Sequence, residues 1–298
     1  MIELKPALSY DQQIERLSII HNLIIPDKDK AKEILQRVNY YRLSGYGIGL
    51  KSNEEPEKYN DGTSLGSIYR LYKFDSYFKN LLIHTIEQIE IQLRTQIAHF
   101  LALTHGPEGY MNPKNFLVKQ SKDKTNIHSN IIASFQQECL RQKNVPFVKH
   151  HQDKYNGHFP IWVAVELLTF GNLCSLYDIM MPIDKKAIAQ LYDTESHHLK
   201  SWILALVEVR NICAHYGRLY NMPLKQAPYL YSEHKHYRQG QLNKIFPVIL
   251  TLRRMLFTNQ ELWLYFADRL VKLMDEYQDV VKLPFIGFPP NWKNILNA

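Results

Sequence analysis

The chain has 298 residues, 45% of them hydrophobic, three cysteines and a formal net charge of +7 at pH 7, enough length for one large or two modest domains with a sizeable core. No stretch approaches the roughly 18 to 20 apolar residues of a membrane span, and the opening MIELKPALSYDQQIERL is polar where a signal peptide is apolar, so a protein of the cytoplasm is expected. Cys139, Cys174 and Cys213 are odd in number and form no CxxC pair, which argues against a disulfide framework or a zinc site, and the basic balance favours a polyanionic partner.

Glycine is scarce, and apolar positions recur at three and four residues rather than at two, so the chain reads as all-α. Two short helices are expected, roughly Tyr10 to His21 and Asp27 to Val38, followed by the glycine-broken aromatic run Tyr40-Tyr41-Arg42-Leu43-Ser44-Gly45-Tyr46. Residues 1–62 therefore read as an N-terminal helical subdomain. The longest helical pattern runs from about Ser64 to Leu103, with Phe78, Leu82, Thr85, Ile86, Ile89, Leu93, Ile97 and Phe100 on one side and Glu87, Glu90 and Arg94 opposite.

Gly106-Pro107 ends that helix and opens a polar insertion to about residue 160. Between Lys114 and His158 eight Lys or Arg stand against three Asp or Glu, so much of the net charge sits here. An RNA-tracking surface, with Phe116, Phe147 and Tyr155 free to stack, and a solvated insertion with one amphipathic patch at Ile131 to Leu140 both fit this composition.

Beyond Pro160 the spacing predicts helices at Ile161 to Tyr177, Lys185 to Tyr192, Ser196 to Ala214, Leu242 to Phe257 and Glu261 to Tyr277, separated by short polar breaks as in an antiparallel bundle. Residues 63–298 thus read as one helical domain carrying the insertion. The stretch Asn221 to Gly240, with Lys225, His234, Lys235, His236 and Arg238, is a second basic, aromatic loop.

The Ser196 to Ala214 helix carries the most chemistry. Thr194 or Ser196 can cap its start, Leu199, Trp202, Ile203, Leu206, Val209 and Cys213 form its apolar stripe, and Gly217 is a natural stop. At its end stands Arg210-Asn211-Ile212-Cys213-Ala214-His215. Arginine keeps its charge and can fork onto phosphate oxygens, whereas histidine exchanges a proton near neutrality. RNA supplies its own nucleophile, the 2′-hydroxyl, so the pair suits phosphodiester cleavage without a metal. Arg210 and His215 are about 140° apart on the wheel, and a second copy from a facing helix or subunit would complete the site.

Arg94 and His99 repeat the spacing on the long helix. They read either as a second half-site or as an ordinary ion-pair cluster of Glu87, Glu90 and Arg94 with His99 on another side; between the two, Glu87, Glu90 and Arg94 line the groove and support it. The histidine pairs lack HExxH spacing, and no glycine-rich phosphate loop or GxSxG elbow occurs, so no metal or cofactor is expected.

With that motif at the end of a bundle helix, the chain resembles the Abi-like abortive-infection family of the AbiD/AbiF type, within the HEPN superfamily. The likeness is carried by Asn39-Tyr40-Tyr41-Arg42-Leu43-Ser44, by Ile89 to Ala98, by Pro160-Ile161-Trp162 with Glu166 and Phe170-Gly171, by Val209 to His215 followed by Arg218-Leu219-Tyr220-Asn221, and by Gly287-Phe288-Pro289 with Trp292.

The resemblance implies a HEPN-like helical bundle and a bacterial anti-phage, toxin-like protein that cleaves RNA without metal, leaving a 2′,3′-cyclic phosphate. It implies Arg210, Asn211 and His215 as catalytic residues, a homodimer that pairs two motifs, and a small noncoding RNA as regulator. Arg218 and Asn221 match the extended pattern, either as RNA contacts or as ties for the helix end. The alternative is a non-catalytic RNA- or protein-binding module of the same fold.

Overall fold

The computed structural model describes residues 6–238 and 243–297. Among them are fourteen α-helices, short 3-10 turns and isolated β-bridges, but no strand, so the protein is all-α. The expected loop end at Gly240 and helix start at Leu242 lie outside the described residues.

Local capping chemistry sets the first elements. Ser9 and Gln12 close a capping box ahead of α1 (Tyr10–Ile19), Asp27 accepts the Lys30 amide ahead of α2 (Lys28–Arg37), and Asn39 caps α3 (Tyr40–Ser44). The chain then tightens into a 3-10 turn, Gly45–Leu50. Ser64 and Ser67 form a second capping box that starts α4 (Leu65–His105), whose 41 residues make a rod of roughly 60 Å. Gly106, with φ of +82°, ends it.

The insertion is helical rather than open loop. Asn126 caps α5 (Ile127–Arg141), which buries Ile131, Phe135 and Cys139 and packs on α7 (Ile161–Leu167) and α8 (Phe170–Ile179). Pro146 opens α6 (Pro146–Lys154). The helix expected over 161–177 is divided into α7 and α8, because the Thr169 hydroxyl accepts the Asn172 amide at 3.1 Å and starts a new helix there.

The remaining helices are α9 (Pro182–Gln190), α10 (Ser196–Ala214), α11 (Phe246–Met255), α12 (Gln260–Glu276), α13 (Leu283–Ile286) and α14 (Trp292–Asn297). The rod α4 is the spine, contacting α2, α3, α7, α9, α10 and α12. One buried apolar cluster runs from Ile14 in α1 to Leu296 in α14. The three cysteines are free and buried, and burial pushes the Cys174 and Cys213 thiols up to about 12. No helix among the described residues is long and apolar enough to cross a membrane.

One face of α4 differs from its wheel. Phe78, Leu82, Thr85, Ile86, Ile89, Leu93 and Ile97 are buried, but so is Glu90, at 9% exposure. The apolar stripe is wider than the sequence suggests because α7 and α10 both pack on that side.

Candidate functional site

The site is built on α10. Its stripe of Leu199, Trp202, Ile203, Leu206, Val209 and Cys213 is buried, and the helix packs on α4, α8, α9 and α11. Asn211 and His215 are left exposed, and the Arg210 side chain is 39% exposed. The N-cap is Glu195, whose side chain makes no cap bond. Neither Thr194 nor Ser196 takes that role; the Thr194 hydroxyl instead accepts from Tyr231 Oη at 2.7 Å.

Arg210 leans toward α4, where its Nε lies 3.8 Å from Glu90 Oε2. The other oxygen of Glu90 is held by Arg94, one turn further along α4, and Arg94 also donates to the Val165 carbonyl on α7. Two guanidinium groups thus share one buried carboxylate, leaving a net positive cluster. At 3.8 Å Arg210 is attracted but not hydrogen-bonded to Glu90, so its donors remain available for an anion. Arg94 is committed to this cluster, while Glu87 and His99 are exposed on α4 outside it.

The helix end is a Schellman turn. The Tyr216 N–H donates to Cys213 O at 3.2 Å and the Gly217 N–H to Ile212 O at 2.8 Å, with His215 as C-cap. The left-handed residue is Tyr216, with φ of +56°, and not Gly217. Gly217 sits where space is tight, since a Cβ there would lie 3.1 Å from Ile212 Cγ2 and 3.2 Å from its carbonyl oxygen.

The backbone beyond His215 is clamped from two directions. Arg42 of α3 donates to Tyr216 O at 2.6 Å, and Lys79 of α4 donates to Gly217 O at 2.7 Å. Asp75, fully buried on α4, accepts the backbone N–H groups of Leu219 and Tyr220 at 3.1 and 2.7 Å, the Tyr46 hydroxyl at 2.8 Å, and pairs with Lys79 at 3.0 Å. Burial, and then the Asp75 charge it faces, raises Tyr46 far above the ordinary phenol range. Tyr46 therefore stays a neutral donor.

Arg218 is turned inward. It donates to the Gly45 carbonyl and to Met222 Sδ, and burial pulls its pKa down. Asn221 takes a left-handed conformation, and its Oδ1 accepts from Lys244 Nζ at 3.3 Å. Both occupy tying positions in this geometry. Glu208 similarly accepts the Lys225 and Gln226 amides at 2.8 and 2.6 Å, strapping the next loop along α10.

Asp75, Lys79 and Tyr46 were missed by sequence reasoning. Asp75 and Lys79 look like an ordinary i,i+4 surface pair, and only their position among Leu71, Phe74, Phe78 and Leu82 hinted at burial. Among the described residues no group of three or more His, Cys, Asp or Glu is arranged to hold a metal ion.

Among known families, the model of the Abi-like protein family matches residues 33–221. The matched span takes in the Tyr40 to Tyr46 run, all of α4, and α10 with its clamp. No curated protein and no solved structure matches the chain.

Proposed function

We propose that this chain, which belongs to the Abi-like protein family, is a HEPN-type endoribonuclease acting in abortive infection of bacteria by phage. The observation that carries the reading is the C-terminal end of α10. Buried Asp75 and Lys79, together with exposed Arg42, fix the backbone from Tyr216 to Tyr220, while Arg210, Asn211 and His215 keep polar groups available at the surface. Family membership supports an abortive-infection role; the nuclease activity is our inference from the site.

In this mechanism Arg210 binds the non-bridging oxygens of the scissile phosphate and stabilises the charge that builds on them in the transition state. The 2′-hydroxyl loses its proton to a neutral imidazole, its oxygen bonds to phosphorus, and the bond from phosphorus to the 5′-oxygen breaks. An imidazolium returns a proton to that oxygen, giving a 2′,3′-cyclic phosphate and a 5′-hydroxyl. The step needs one base and one acid. Each chain offers one such His215, so a homodimer that brings two α10 ends together would supply both, with Asn211 orienting them. RNA is the substrate partner in this reading, and a small noncoding RNA is a candidate restraint.

The test is cleavage of end-labelled RNAs in EDTA by the purified protein, with His215→Ala and Arg210→Ala variants shown to be folded. Cleavage that persists in EDTA and is lost in both variants supports the reading. Salt-sensitive RNA binding with no product in any condition favours the non-catalytic module instead.

A further inference from the structure

Beside the motif stand the two most exposed aromatic side chains among the described residues, Tyr41 at 87% and Tyr216 at 73%. Tyr216 directly follows His215. Tyr41 directly precedes Arg42, whose guanidinium holds the Tyr216 carbonyl at 2.6 Å. The two segments are therefore joined through Arg42, although they lie far apart in sequence, and each carries one exposed ring next to that link.

Neither ring is explained by packing. Tyr41 fills no core position: its backbone is organised by Asn39 Oδ1, which accepts the Tyr41 amide at 2.7 Å, and by the Ser44 hydroxyl, which donates to the Tyr41 carbonyl at 2.9 Å. Tyr216 sits where a Schellman turn favours glycine, in a left-handed conformation that a residue with a bulky side chain adopts only at a cost. The Arg42 and Lys79 bonds to the successive carbonyls of Tyr216 and Gly217 hold that backbone and allow it. A bulky ring that is both exposed and held in a left-handed conformation points to a use for the ring.

We infer that Tyr41 and Tyr216 form a stacking platform for unpaired RNA bases next to the scissile phosphate, so that the substrate at this site is single-stranded or bulged rather than duplex RNA. The inference rests on the ribonuclease reading of the same site. In an A-form duplex the bases are stacked inside and present no free face, whereas splayed bases stack on tyrosine irrespective of their identity. The surroundings favour this occupant over an apolar protein surface, because the exposed groups that adjoin the rings along the chain are His215, with Asn211 one turn before it, and Arg42, which suit a phosphate chain.

The experiment measures RNA affinity in an inactive His215→Ala background, by fluorescence anisotropy with a short single strand, the same sequence as a duplex, and the same strand carrying abasic sites. Tyr216→Gly removes the ring and relaxes the backbone, so its melting temperature should not fall. With Tyr41→Ser it should weaken single-strand binding about tenfold or more, leave binding to the abasic strand unchanged, and be rescued by Tyr216→Trp. Unchanged single-strand affinity would overturn the platform alone. Failure of the parent protein to bind any RNA would overturn the ribonuclease reading and the platform with it. Sedimentation of the same variants must show an unaltered oligomeric state; dissociation of a dimer would make the rings a contact with a second copy and overturn the inference.

Discussion

The carboxylate of Asp75, midway through the first half of α4, accepts the backbone N–H of Tyr220, 145 residues later, at 2.7 Å. Through this bond and its neighbour at Leu219 the chain after the motif is registered to the spine of the protein. Asp75→Ala removes the partner of the Lys79 ammonium and leaves two buried N–H groups unmatched, so it should cost about 3–5 kcal/mol in urea unfolding. Lys79→Met in that background should cost less than its effect in the parent, because the lone ammonium is removed with it. Additive losses would mean that the two do not act as a unit.

Glu90 makes a second link, between α4 and Arg210. Replacing it with Gln leaves Arg94 and Arg210 without their shared countercharge. Two effects of opposite sign are expected: RNA binds more tightly at low salt because the cluster gains positive charge, and cleavage slows because Arg210 loses the group that aims it. Anisotropy and single-turnover cleavage on the same preparation read both. Tighter binding with an unchanged rate would mean that Glu90 plays no part in positioning Arg210.

The turn after His215 yields a stability prediction from two adjacent residues. Tyr216→Gly should stabilise by about 0.5–1 kcal/mol by relieving a left-handed φ, and Gly217→Ala should destabilise by about 1–3 kcal/mol by pressing a methyl group onto Ile212. The opposite pair of signs would place the left-handed residue at Gly217.

That turn shows what could be read from the sequence. The extent of α10 was legible because its apolar stripe is uninterrupted from Leu199 to Cys213, and a glycine three residues past Ala214 marked its end. The role of that glycine was not legible, since tertiary bonds from Arg42 and Lys79 decide which residue takes the strained conformation. The same holds for Glu90. Its helical neighbours describe an ion pair with Arg94, but the burial of that pair and its approach to Arg210 depend on where α7 and α10 cross α4. Periodicity reports the face of one helix, whereas the site is made by contacts between helices distant in sequence. The break between α7 and α8 was missed for a simpler reason: a Thr169 cap in an otherwise apolar run leaves little trace in the pattern.

The last prediction concerns acid. The loop after the motif lies along α10 as a strap, with the Tyr229 N–H on Ser201 Oγ at 2.9 Å and Trp202 Nε1 donating to the Tyr229 carbonyl at 2.7 Å. Under it, His198 stacks on Tyr231 with ring centroids 4.8 Å apart, and its Nδ1 is buried with no partner among the described residues. Burial, then the adjacent His197, with a smaller push from Lys235, lowers its pKa below the usual 6.5, and only Glu195 opposes them. A folded pKa below the unfolded one means that the unfolded chain takes up the proton more readily. The stability from neutral His198 is therefore complete above about pH 6.5 and is lost as pH falls from there through the lowered value. His198→Phe keeps a ring against Tyr231 and cannot titrate, so urea midpoints measured between about pH 7 and pH 5 should vary less with pH than those of the parent. If the two curves stay parallel, other groups carry the acid sensitivity and the strap is not held by His198.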